Sequence, residues 1–271
     1  MKIGVIGCGV VGGALISYLE NTICLKGNGH AAELVLNDPT KGFYDTMDGC
    51  KAVFVCVSAP TALNLTKNEY YLNTDSVMSA MGKISESKGK PIVFIRTTVT
   101  PDLCDDLNRT YNLNIVALPE FLTERTAHYD MHYLNLISGA KGNPEAIKML
   151  KEIFPNKEII HVTNKEAFYG KHVHNAFAAV KINFFNQVNR YCKDNNISYE
   201  SVKNVFLSTG HIKNQHVFVP GPDGKKGYGG KCLPKDIKIF SEIMKNYTTV
   251  PRLSDIENGL IRKNEYKKDN T

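Results

Sequence analysis

The stretch Gly227-Tyr228-Gly229-Gly230-Lys231-Cys232-Leu233-Pro234-Lys235-Asp236 sets one thiol among glycines, lysines, a proline and an aspartate. A structural cysteine is usually a small hydrophobe among apolar neighbours, and the neighbours of Cys232 are not apolar. Thiolates add to carbonyl carbon, so Cys232 is a candidate nucleophile. Lys231 and Lys235 flank it and favour the anion, while Gly229 and Gly230 leave room for a ligand to approach the backbone. Lys171 and Asn175, at i and i+4, share one helical face. An ammonium beside an amide there stabilises alkoxide and tetrahedral oxyanions. The plainer readings are a buried hydrophobe for Cys232 and a solvated polar face for the pair. His128 and His132 also have an i, i+4 spacing suited to a metal ion. No third ligand accompanies them, and no metal is expected.

A second constellation opens the chain. Lys2 to Ile6 reads as a short strand, followed by Gly7-Cys8-Gly9-Val10-Val11-Gly12 and a helical stretch to about residue 20. A G-x-G-x-x-G turn between strand and helix is the context in which that motif binds a dinucleotide. Gly7 allows the tight turn, Gly9 lets the backbone approach a pyrophosphate, and Gly12 lets helix and strand pack closely. Val10 and Val11 lie at the helix N-terminus that would face the phosphates. Asp38 closes the second strand, 38 − 12 = 26 residues past the last glycine. The usual interval is about 20 residues; a loop over 21–32 accounts for the delay. A carboxylate there hydrogen-bonds ribose hydroxyls and repels a 2′-phosphate, so NAD is expected over NADP. Lys41 nearby weakens that preference.

The elements that must position these groups alternate. Strands are expected at 2–6, 33–36, 52–57, 91–95, 114–118, 135–138 and 159–162, with helices to about 20, over 74–88 and over 144–153. Strands alternating with helices predict an α/β fold with a doubly wound parallel sheet. From about residue 164 the pattern is helices only: 165–193, 199–208, 235–246 and 254–264. The first of these carries two stripes. Val173, Phe177, Val180, Phe184, Val188 and Tyr191 are expected to pack onto a core. Lys171, Asn175, Ile182 and Asn186 are expected to face solvent or a ligand, with His172 and His174 on the helix surface.

Composition narrows the class. Of 271 residues, 42% are hydrophobic and 22% charged, as in a soluble globular protein. The net charge is mild, 33 − 27 = +6. With no arginine-rich run and no basic–aromatic interleaving, nucleic acid is not an expected partner. Seven cysteines with no CxxC pair argue for a reducing, cytoplasmic setting and against a disulfide framework or a zinc site. The first residues imitate a signal peptide, but five glycines break the apolar run, and they read as strand and helix. No segment reaches the length of a membrane span. The lysines at 263, 267 and 268 read as a solvated end.

In order along the chain, five segments resemble the UDP-glucose/GDP-mannose dehydrogenases. Phe54-Val55-Cys56-Val57-Ser58-Ala59-Pro60-Thr61 is similar to that family's VCVPTP turn, and Arg96-Thr97-Thr98-Val99 to its STV element. Pro119-Glu120-Phe121-Leu122-Thr123-Glu124 matches PEFLxE, Lys171-x-x-x-Asn175 matches KxxxN, and Gly227–Asp236 matches GFGGSCFPKD. The resemblance runs from residue 1 to about 265. It implies an N-terminal Rossmann domain over 1–163 that binds NAD, then an all-helical central and dimerisation domain over 164–271 with the cysteine loop at 227–236. The implied reaction oxidises the C6 alcohol of a nucleotide sugar to a uronic acid by two hydride transfers. A thiohemiacetal and a thioester would form on Cys232. Lys171 and Asn175 would hold oxyanions, and Asp236, Glu124 and Thr98 would order and activate water. Val57, Ser58 and Thr98 would line the cofactor, and Glu120, Phe121, Leu122, Tyr228, Gly229 and Gly230 the substrate.

Several features depart from the family. The resemblance leads one to expect a short form without the family's C-terminal nucleotide-sugar-binding domain, and a separate chain is one expected source of it. Lys231 stands for a serine, Leu233 for a phenylalanine, and no DxRI arginine is visible around Gly210-His211-Ile212. Asp223-Gly224-Lys225-Lys226 forms a basic approach to the loop, either a phosphate contact or a solvated turn. A homodimer or higher homo-oligomer is expected. Two alternatives remain: a single-step dehydrogenase related to 6-phosphogluconate or 3-hydroxyacid dehydrogenases, and a catalytically silent NAD-binding homologue.

Overall fold

A computed structural model describes residues 1–24 and 32–268, with residues 264–268 described by backbone alone. Most of the loop expected over 21–32 lies outside the described residues. The chain forms two compact units: residues 1–60 with 72–171, and residues 61–71 with 172–271.

The first unit contains β1 (Lys2–Ile6), α1 (Val10–Thr22), β2 (Glu33–Asp38), β3 (Phe43–Tyr44) and β4 (Ala52–Val55). After β5 (Thr61–Asn64) and β6 (Glu69–Leu72) come α2 (Asp75–Glu86), β7 (Ile92–Ile95), α3 (Leu103–Tyr111) and β8 (Asn114–Ala117). The unit continues with α4 (Ala127–Tyr133), β9 (Leu136–Ser138), α5 (Pro144–Ile153), β10 (Ile159–His161) and the start of α6 (Asn164–Asp194). Six strands pair in the order β3-β2-β1-β4-β7-β8, all parallel except the short edge strand β3. Sequence periodicity did not single out β3, α3 or α4.

Parallel strands covered on both faces read as continuous apolar runs, and AVFV in β4 and IVFI in β7 are buried throughout. Alternate residues serve opposite layers. Ile3, Val5, Phe54 and Phe94 pack with Leu15 and Leu19 of α1 and Leu150 of α5. Val53, Val55, Val93 and Ile95 pack with Met81 of α2, Leu107 of α3 and Phe168 of α6. Because Ala167 and Phe168 belong to this second layer, the units part at 171/172 rather than at the expected 163/164. The strands expected to extend the sheet, β9 and β10, pair with each other instead.

The second unit holds the rest of α6, then α7 (Tyr199–Leu207), α8 (Leu233–Ile243) and α9 (Val250–Lys268). It is not purely helical, because β5 and β6 belong to it. Thr61 donates its hydroxyl to Lys235 O at 3.3 Å, Tyr70 N donates to Glu242 Oε1 at 3.1 Å, and Lys238 lies 5.1 Å from the Tyr70 ring centre. Among the described residues no helix is long and apolar enough to cross a membrane.

The apolar stripe of α6 is split: Val180 and Val188 pack onto the core as expected, and the rest of it does not. Phe177 is 67% exposed, Phe184 54% and Tyr191 62%, whereas Lys171, Asn175 and Asn186 are buried. His172, expected on the surface, is fully buried. A period of 3.6 residues shows that a helix has an apolar face but not what covers it. Here Asn175 and Asn186 face inward because hydrogen bonds to Asp236 and Gly227 N satisfy them, while Lys171 has Glu120 close by.

Candidate active site

The turn after β1 supplies the first half-site. Gly7 has φ +89°, and a Cβ on Gly12 would stand 1.9 Å from Gly7 O, so only glycine lets α1 start this close to the strand. At Gly9 a Cβ would meet nothing within 4 Å, leaving the N-terminus of α1 open on that side. No side chain caps that helix and its first turn holds no acid. An uncapped helix N-terminus beside open glycine fits a pyrophosphate. Asp38 lies alongside: its Oδ2 accepts from Cys8 N at 2.8 Å and its Oδ1 from the Thr40 hydroxyl at 2.6 Å. The Thr40 bond chiefly holds the Asp38 carboxyl below its ordinary range, so it is ionised at neutral pH. Lys41 donates to Cys8 O at 2.6 Å rather than standing free beside the carboxylate. Val57 is half-buried and Ser58 exposed in the turn after β4. Thr97, which sequence reasoning passed over, pins that turn by donating to Val57 O at 2.7 Å.

Beyond β7 and β8 lie the other polar groups of this unit. Thr98 is buried. Glu120 accepts from Leu122 N at 2.6 Å through Oε2, and its Oε1 lies 4.0 Å from Lys171 Nζ. The same ammonium lies 4.8 Å from the Phe121 ring centre. Lys171 and Glu120 are both buried, so each charge has its partner close by. Glu124, grouped with them from sequence, is exposed. Arg96 is 1% exposed, and burial lowers its basicity. Its Nε and Nη1 have no hydrogen-bond partner, and a cavity of about 10 Å³ beside it has room for one water. The periodicity of β7 marked Arg96 only as the residue after a strand.

The second unit holds the thiol. Cys232 is the N-cap residue of α8 and is exposed, whereas the other six cysteines are buried or half-buried. Burial pushes the Cys56 thiol up to about 12 and raises Cys8 as well, so the two thiols beside the glycine turn stay neutral. One turn into α8, Asp236 is 1% exposed and its Oδ2 accepts from Asn175 Nδ2 at 2.5 Å. Lys235 pairs with the other Asp236 oxygen. Tyr228, expected to line a substrate, instead buries its ring with Ile237 and Phe240, so only its backbone is available. A cavity of about 410 Å³ opens beside the loop, bordered by Asp223, Lys225, Gly229, Gly230, Pro234 and Arg262. In the first unit, the His132 ring of α4 lies against Tyr18, with ring centres 5.1 Å apart and planes tilted by 53°. Among the described residues no three His, Cys, Asp or Glu side chains gather as a metal site.

A glycine turn on a doubly wound parallel sheet, followed by a helical unit with an exposed thiol at a helix start, is a dinucleotide-binding architecture. Residues 30–158 match the NAD binding domain, and residues 165–258 the central domain, of the UDP-glucose/GDP-mannose dehydrogenase family; the chain belongs to that family. It is 26% identical over 281 aligned residues to a UDP-glucose 6-dehydrogenase of Rickettsia bellii, covering 91% of this chain and 63% of that one. It is 29% identical over 226 residues to a Campylobacter jejuni protein of the same name, covering 80% and 54%. The chain thus spans between about half and two-thirds of the length of these curated relatives. A UDP-glucose dehydrogenase structure from Pyrobaculum islandicum superposes with a TM-score of 0.77 at 19% identity, covering 96% of this chain and 68% of that one.

Proposed function

We propose that this chain carries the catalytic groups for oxidising the C6 alcohol of a UDP-glucose-like nucleotide sugar to the uronic acid. The observation that carries this reading is Cys232: an exposed cysteine at the N-cap position of α8, one turn before an Asp236 hydrogen-bonded to Asn175. NAD⁺ bound at the glycine turn would accept one hydride in each oxidation, so two NAD⁺ would be used in succession, and the hydroxyl proton would leave to solvent in the first. Lys171 and Asn175 hold the substrate oxygen as it gains negative charge. The Cys232 thiolate, favoured by the N-terminal end of α8, adds to the aldehyde carbon, and the resulting alkoxide takes up a proton. Loss of the second hydride and that proton leaves a thioester. Water attacks the thioester, the C–S bond breaks, and the thiolate is released with the acid. Asp236 and Thr98 are assigned to ordering that water. Glu124, being exposed, is assigned to proton exchange with solvent.

Incubation with NAD⁺ and a panel of UDP- and GDP-sugars tests the reaction, with NADH counted against product mass. Two NADH per acid supports the thioester route; one NADH and an aldehyde or ketone product removes it in favour of a single-step dehydrogenase. Asp38→Asn keeps an acceptor for Cys8 N but removes the charge. It should shrink the preference for NADH over NADPH by on the order of tenfold, about 1.4 kcal/mol, in fluorescence titrations.

A second copy of the chain is proposed to cover the aromatic stripe of α6. Phe177, Phe184 and Tyr191 recur every seven residues and are more than half exposed, the spacing of a helix seam. The double variant Phe177→Asp, Phe184→Asp should sediment as a monomer with an unchanged circular dichroism spectrum. A wild-type chain that is itself monomeric at micromolar concentration would remove this assignment.

A further inference from the structure

The cysteine loop is held from outside, and the groups that hold it have no place in the chemistry above. Between Gly227 and Cys232 the chain contains three glycines, two of them at positive φ: Gly227 at +72° and Gly230 at +75°. Glycine has the most conformational freedom to lose on folding, so such a loop does not order itself. Four side-chain contacts fix it. Asn258 of α9 grips the Tyr228 peptide at both ends: its Oδ1 accepts from Tyr228 N at 2.7 Å and its Nδ2 donates to Tyr228 O at 3.0 Å. Asn186 of α6 accepts from Gly227 N at 3.0 Å. Arg262 of α9 donates from Nη2 to Gly227 O at 2.9 Å and from Nη1 to Asp223 Oδ2 at 2.8 Å. The guanidinium also lies against Gly229, where a Cβ would come within 2.9 Å of Nη2 and 3.1 Å of Cζ.

We propose that Arg262 and Asn258 are positioning residues for Cys232. They anchor the flexible half of the loop to α9, so that its last residue caps α8 with the sulfur exposed. This rests on the assignment of Cys232 as nucleophile. The anchors differ in kind. Asn258 replaces the backbone partner that a strand would supply. Arg262 spans the loop with its planar fork, tying the Asp223 turn to Gly227 and leaving no room for a side chain at 229. Lysine lacks the rigid planar fork that aims two separate nitrogens at these acceptors.

The test uses the whole chain carrying Arg262→Ala, Arg262→Lys or Asn258→Ala, with Arg252→Ala on the exposed side of α9 as control. Amide hydrogen exchange over 227–232 should speed up at least tenfold in the first three, with α6 and α8 keeping their protection. Cys232 alkylation by iodoacetamide, quantified by mass spectrometry at one pH, should change at least threefold. Because Arg262 borders the open cavity, millimolar guanidinium chloride should restore part of the wild-type alkylation rate in Arg262→Ala but not in Asn258→Ala. With UDP-glucose, kcat should fall at least tenfold while the KM for NAD⁺ stays within twofold. The proposal is overturned if exchange and alkylation match wild type, or if protection is lost across the whole unit without guanidinium rescue. Wild-type chain inert toward nucleotide sugars would count against the proposed reaction, while the exchange and alkylation results would still decide the clamp.

Discussion

Cys232→Ala should stop acid formation, lowering its rate by at least about a thousandfold, or ~4 kcal/mol of transition-state stabilisation. The fold should not suffer, because the side chain is exposed and in no disulfide; exposed substitutions usually shift stability by less than about 0.5 kcal/mol. Loss of activity with an unchanged melting temperature therefore isolates the chemistry. The variant keeps Lys171, Asn175 and the glycine turn, so it retains what the first hydride transfer needs. Supplied with the alcohol, it should release at most one NADH per sugar. Supplied with the aldehyde, it should release almost none, because no thiohemiacetal forms. Acid production at the wild-type rate by Cys232→Ala would sink the covalent route while leaving the dehydrogenase fold intact.

The parts of this molecule legible in sequence were those in which one local constraint dominates. Gly7, Gly9 and Gly12 follow a strand and precede a helix, and the backbone there leaves little choice. The runs at β4 and β7 are apolar at every position, which only a strand covered on both faces requires. The stripes of α6 were read correctly as stripes but only partly placed: Val180 and Val188 pack inward as expected, whereas Phe177, Phe184 and Tyr191 are exposed and the asparagines buried. Asn175 and Asn186 resemble a solvated face until the loop that takes up their hydrogen bonds is in place. That loop lies some forty residues on from Asn186. Tyr228 failed in the opposite sense, since a tyrosine between glycines suggests a ligand contact, yet its ring joins Ile237 and Phe240 in a small core. Residues 61–71 were invisible as an element because two four-residue strands carry too little periodicity to register. Arg262 and Asn258 left no signal at all. Their partners are backbone atoms of a distant loop, and backbone atoms have no residue type to match.

Gly12→Ala should cost the first unit both stability and its cofactor, and Gly13→Ala next to it should cost neither. A Cβ on Gly12 would lie 1.9 Å from Gly7 O and 3.0 Å from Gly7 C, both backbone atoms of the turn. Nothing flexible can yield there, so α1 must move off β1. That strains the buried packing of Ala14 and Leu15 against Ile3 and Val5. Overpacking of this kind costs about 1–3 kcal/mol, and each kcal/mol lowers the melting temperature of a unit this size by about 2–4 °C. The displaced helix also carries its open N-terminus away from Gly9, so NADH affinity should fall at least tenfold. At Gly13 the nearest atom to an added Cβ is Cys8 O at 3.8 Å, ordinary contact distance. Alanine there gains about 0.5–1 kcal/mol of helix preference over glycine. Calorimetry and NADH fluorescence titration on the two variants separate packing from mere sequence change. If Gly12→Ala binds NADH like wild type, then the close approach of α1 to β1 is not what shapes this site, and the glycine turn loses its assignment as the pyrophosphate seat.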